Sequence, residues 1–117
     1  MLYSLLFASF LCFQKPNLIH YEKNIFTAYT LSQDETDADY FIGAGNHDLR
    51  GYVGSSTKAC ATRKFALHTT IFIKGIGECE ILDRTSIKYA NRIDILLPTK
   101  KEALEFGKKT LEYCIIK

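Results

Sequence analysis

The order of polar and apolar positions is clearest toward the C-terminal end. In "RIDILL" (Arg92 to Leu97) the residues Arg92, Asp94 and Leu96 share one face, while Ile93, Ile95 and Leu97 share the other. This two-residue period predicts a strand, and Pro98 stops it. A short helix is expected next. Thr99 is a good N-cap, and Glu102 three residues later gives the T-x-x-E signature of a capping box. Ala103, Phe106 and Gly107 recur on one side of that helix, so its small residues would let it lie close against a sheet. Lys101–Glu105 and Glu105–Lys109 are spaced to pair on its exposed side. "TLEYCII" (Thr110 to Ile116) alternates again as a final strand.

Upstream the same reasoning finds further strands. "NIFTAYTL" (Asn24 to Leu31) is rich in β-branched and aromatic residues. "TKACAT" reads as a strand, and "TTIFIKG" with "ECEILD" form a hairpin about Gly75 and Gly77. Between them "SQDETDADYFIGAGNHDLRGYVGSS" is polar, acidic and glycine-punctuated, a long loop with room for one short strand. Many strands and one late helix in 117 residues favour a small closed barrel.

The length fits one domain, and seven Tyr with eight Phe mark a globular chain rather than a disordered one. A formal charge of +2, with no basic run interleaved with aromatics, argues against nucleic acid as a partner. Residues 1–16 open on an apolar run, too short for the roughly 20 residues of a membrane span. Two readings fit it: an export signal or the clipped remainder of one, though it lacks a basic start and a clear cleavage site, or a buried N-terminal strand or amphipathic stretch packed on the barrel. Cys12, Cys60, Cys79 and Cys114 contain no C-x-x-C pair, which argues against structural zinc. In an exported chain Cys60 and Cys79 can bridge neighbouring strands; otherwise they are two small buried thiols.

Most polar clusters carry little chemistry. Asp34, Glu35, Asp37 and Asp39 lack the glycine and closing glutamate of a calcium loop, and read as solvated. "GAGNHD" lacks the third glycine of a dinucleotide fingerprint. His20, His47 and His68 sit in no metal-binding frame. What remains is Asp83, ending "ECEILD", and Asp94, inside "RIDILL". Two carboxylates facing one cleft can share a proton, and a carboxylic acid kept protonated is what glycosidic-bond cleavage needs. The plainer alternative pairs Asp94 with Arg92 or Arg84 and has Asp83 cap the turn that begins at Arg84.

From about Phe26 to Ile116 the chain resembles the three-aspartate (3D) domain family, related to the catalytic barrel of membrane-bound lytic transglycosylase A. The resemblance rests on "FTAYT" (Phe26 to Thr30), "KACATRKFALHTTIFIKGIGECEILD" (Lys58 to Asp83) and "NRIDILLPTKKEALEFGKKTLEYCII" (Asn91 to Ile116). It implies an all-β fold over residues 24–117, a six-stranded double-psi β-barrel with one short helix in its C-terminal half. It also implies an extracytoplasmic monomer acting on peptidoglycan glycan strands without cofactor or metal. Relatives cleave between N-acetylmuramic acid and N-acetylglucosamine without water, leaving a 1,6-anhydro ring. On this pattern Asp83 is the acid/base and Asp94 supports it, with Thr30, Arg63, Arg84 and Arg92 as substrate contacts. Three departures stand out. The first of the three aspartates should fall near Ala61 or Thr62, "RTS" replaces a glycine-rich turn after Asp83, and His68 stands where a turn glycine is common. The leading expectation is a lytic-transglycosylase-type enzyme. A non-catalytic glycan-binding barrel is the alternative, and a structural module of an envelope or virion assembly is a third.

Overall fold

The computed structural model describes residues 20–31, 43–44 and 48–116. Six strands close into a barrel: β1 (Glu22–Tyr29), β2 (Lys58–Ala61), β3 (Thr70–Ile73), β4 (Gly77–Asp83), β5 (Arg92–Leu96) and β6 (Lys109–Ile115). Their order around the wall is β1-β5-β2-β4-β3-β6. The β1–β5 and β2–β4 pairs are parallel and the other four antiparallel, so the barrel is mixed, and closure leaves no free sheet edge. Among the described residues there is one α-helix, α1 (Lys100–Phe106), just before β6. The small barrel with a late helix is therefore as expected. The apolar N-terminal run with Cys12, the Asp34–Asp39 acidic cluster, Gly45 and His47 lie outside the described residues.

Alternation sorts each strand into an inner and an outer face. Phe26, Cys60, Ile71, Ile73, Cys79, Ile81, Ile93, Ile95 and Tyr113 fill the interior. The rings of Phe26 and Phe65 meet Tyr113 edge-on at 6.2 and 5.6 Å, a favoured aromatic geometry. A second apolar cluster forms on the outside of the wall, where Leu49, Ala59, Leu82 and Leu96 are joined by Tyr29, Leu31, Tyr52 and Val53. Its lid is a 3₁₀ turn, Leu49–Tyr52. Asp48 caps that turn, accepting from the Arg50 N–H at 3.0 Å and pairing with its guanidinium at 2.8 Å. Those charge-assisted bonds hold the Asp48 carboxyl below its usual value.

The hairpin about Gly75 and Gly77 forms, with Ile73 paired to Gly77 and both glycines at positive φ. The Thr99 hydroxyl accepts from the Glu102 N–H and donates to the Glu102 carboxylate, each at 3.1 Å. Half of the reciprocal box is thus made through the hydroxyl itself. Gly107 corrects one expectation. It is exposed and ends the helix at φ 66°, where an added Cβ would find only the Leu104 carbonyl at 3.9 Å. Its role is to end the helix at a positive φ that suits glycine. Lys109 lies over the Phe106 ring at 4.5 Å instead of pairing with Glu105.

Cys60 and Cys79 form a disulfide between β2 and β4, both fully buried, and Cys114 is disulfide-bonded as well. A 19-residue separation corresponds to about 3 kcal/mol of loop-closure stabilisation. We expect Cys60 and Cys79 to resist alkylation in non-reducing denaturant and to label after reduction. The Cys60→Ala/Cys79→Ala variant should lose about 3 kcal/mol in urea unfolding.

Candidate functional site

Asp83 and Asp94 come together through β2. Ala61 pairs with Asp94 across the antiparallel β2–β5 ladder and with Asp83 across the parallel β2–β4 ladder. The two aspartates are thus cross-strand neighbours of one alanine, roughly 10 Å apart at Cα by strand spacing. Asp94 faces outward because Ile93 and Ile95 fill the interior. Asp83 needs a correction of phase, since strict alternation with Cys79 and Ile81 would send it into the core. A register shift between Cys60 and Ala61 supplies it: Cys60 pairs with Ile81, but Ala61 with Asp83, leaving Leu82 as the extra residue. A bulge of this kind re-aims a side chain, and it brings both carboxylates to one side of the wall.

Each carboxylate is held by partners distant in sequence. The Thr27 hydroxyl donates to Asp94 Oδ1, and β1 aligns Thr27 with Asp94 in parallel register. Asp83 Oδ1 accepts from the Arg84 N–H at 2.8 Å and the Ala44 N–H at 3.1 Å. The expected cap of the turn at Arg84 is thus present, whereas Asp94 pairs with neither Arg92 nor Arg84. Gly43 makes the Ala44 contact possible. A Cβ there would stand 2.6 Å from the Leu82 carbonyl oxygen, closer than backbone allows.

Tyr29 completes the site. Its hydroxyl is shut off from solvent and has no hydrogen-bond partner among the described residues. Burial first, then the Asp83 and Asp94 charges, drive its pKa far above the ordinary phenol value. One phenol therefore senses both carboxylates. Sequence reading missed Thr27, Tyr29 and Ala44. The alternation of "FTAYT" carried a signal for the first two, since buried Phe26 fixes the outward parity of Thr27 and Tyr29.

The basic residues are braces around this centre. Arg63 Nε donates to the Thr85 carbonyl at 2.6 Å, and Arg84 Nη1 donates to the carbonyls of Thr62 and Phe65 at 2.7 and 2.5 Å. These two arginines clasp the loops after β2 and β4 to one another. Arg92 stacks on Tyr89 at 4.2 Å, and Thr30 follows β1, half-buried. Thr62, fully buried, spends its hydroxyl on the Arg92 carbonyl at 3.0 Å, so Ala61 is the position beside both acids. His68 has φ 75°, the left-handed conformation glycine would favour. Its Nδ1 lies 3.3 Å from Glu80, whose other oxygen accepts from Tyr52 at 3.1 Å. His20 pairs with Glu22. Among the described residues no group of three or more His, Cys, Asp or Glu is arranged to hold a metal ion, and no helix is long and apolar enough to cross a membrane. No protein-family model and no curated protein sequence matches the chain.

Two measurements test this geometry. Tyr29→Phe removes a buried hydroxyl without a partner, so it should leave stability unchanged or raise it by about 1 kcal/mol. A phenol whose folded pKa lies above its unfolded value near 10 stabilises the fold fully below pH 10 and loses that contribution as pH rises through the folded value. The wild-type melting temperature should therefore fall from about pH 10 upward, and Tyr29→Phe should flatten the fall. Separately, Gly43→Ala should cost about 1–3 kcal/mol, read by urea unfolding.

Proposed function

We propose that this barrel is a cell-wall glycan-cleaving domain of lytic-transglycosylase type, of the three-aspartate kind that its sequence resembles. The observation that carries the reading is the register of Asp83 and Asp94, two carboxylates on one side of the wall with a single alanine between them. Asp83 Oδ1 is engaged by backbone N–H groups while Oδ2 makes no hydrogen bond among the described residues. Protonated, Asp83 donates to the glycosidic oxygen as its bond to the muramic C1 breaks. The resulting carboxylate then takes the proton of the C6 hydroxyl as that oxygen bonds to C1, which closes the 1,6-anhydro ring and regenerates the acid. The substrate supplies its own nucleophile, so the step needs no water and no cofactor. Asp94, fixed by Thr27, stabilises positive charge developing on the sugar ring. The Cys60–Cys79 disulfide supports an extracytoplasmic location, since such bonds persist in oxidising compartments, and glycan strands are the partner.

A second reading, a non-catalytic glycan-binding barrel, is favoured by two specific features. Asp83 serves as a loop anchor through Oδ1, and Ala61 stands where a third acid would complete the set. Mass spectrometry of digested peptidoglycan separates the readings. For the enzyme, anhydro-muropeptides appear with the wild type and fall by about 100-fold or more in Asp83→Asn, while Asp94→Asn gives a smaller loss. Sacculus binding without released product selects the binding module. Failure to bind sacculi removes both.

A further inference from the structure

Toward the other end of β4 from Asp83, the barrel wall opens into a hollow of about 420 Å³. Its sides are Ile76, Leu97, Phe106 and Leu111, and it reaches Ile95, a fully buried core residue. The side residues are half-buried hydrophobics resting on the interior cluster, so an apolar group seated there would join the core rather than lie on a polar surface. Lys58, Lys74 and Lys109 also line it. A second, more open hollow shares Lys74, Gly75 and Leu111 with the first and adds Lys23, Thr110 and Glu112. Around the joined depressions four lysines thus face one glutamate, although the whole chain carries only +2. Lys74 is the lysine that Glu112 neutralises, at 3.3 Å. Lys109 covers the Phe106 ring, and Lys58 forms no ion pair among the described residues.

Apolar sides with a few converging charges of one sign describe a small-molecule pocket, and the volume falls within the roughly 300–1,000 Å³ of such sites. We infer that this hollow binds a single-chain anionic amphiphile, its alkyl tail against Leu97, Phe106 and Leu111 and its carboxylate, sulfate or phosphate head between Lys58 and Lys109, with Lys74 already paired to Glu112. A neutral tail alone leaves Lys58 and Lys109 unmatched, and a cationic head meets repulsion from them. The site is separate from the carboxylate pair and does not depend on the glycan reading.

The test is calorimetric titration of the full chain with sodium decanoate below its micelle concentration, with methyl NMR locating the site. Saturable one-to-one binding is expected, with shifts centred on Ile76, Ile95, Leu97 and Leu111. Each methylene added between octanoate and decanoate should tighten binding about fourfold. Decyltrimethylammonium should bind at least about tenfold more weakly, since the lysines oppose its charge. Lys58→Ala/Lys109→Ala, two half-buried or exposed positions whose loss should leave the melting temperature unchanged, should weaken decanoate binding about fivefold or more. Equal affinity for the cationic detergent, shifts centred elsewhere, or absence of saturation would overturn the inference. So would binding to phosphatidylglycerol vesicles with none to monomeric decanoate, which would mean a membrane-docking surface instead of a pocket.

Discussion

β4 carries one residue more than β2 can pair, and the geometry of the whole site depends on where that surplus is absorbed. Before the bulge, Cys60 and Ile81 both face the interior. After it, Ala61 meets Asp83. Had the ladder continued in step, a carboxylate would have entered an apolar interior, where an unpaired charge costs several kcal/mol. Expelling Asp83 and placing it near Asp94 are therefore one event. The disulfide lies immediately on the interior side of this point, fixing β2 to β4 just before the register changes.

The outer face is organised by backbone more than by side chains. Asp83 is tied by two N–H groups, one of them brought within reach because Gly43 has no Cβ. Arg63 and Arg84 reach across to carbonyls of opposite loops. Such contacts fix the paths of the loops around the carboxylates and consume charges that would otherwise be open to a ligand. The loop of Leu49 then covers the second apolar cluster, so a wall that would face water on that side is buried on both faces.

Local periodicity carried most of the architecture in advance. The hairpin about Gly75 and Gly77, the strand ended by Pro98 and the helix started by Thr99 follow from residues within a few positions of one another. What escaped was non-local or non-periodic. Thr27 and Asp94 are separated by 67 residues, and only the parallel β1–β5 register joins them. The bulge at Leu82 leaves no compositional trace, because Leu82 looks like any core leucine. Gly107 was read for its size, whereas its backbone angle is what the helix end requires. Arg63 and Arg84 were read for their charge, and the carbonyls they clasp belong to loops whose meeting is a product of the closed fold. His68, standing where the resemblance puts a turn glycine, has a left-handed backbone of the kind glycine favours.

The pairing of β1 with β6 has a consequence for how such a barrel can be used. Glu22, the first residue of β1, lies opposite Tyr113 near the end of β6, about 5 Å away at Cα, so the strand that opens the barrel and the strand that closes it run side by side. Entry and exit thus share one point on the surface. A fold with this property can be spliced into a surface loop of another protein with only a short gap to span, or have its ends joined and reopened elsewhere, without disturbing the wall. In such a graft the two carboxylates and the lysine-rimmed hollow would travel together as one portable unit.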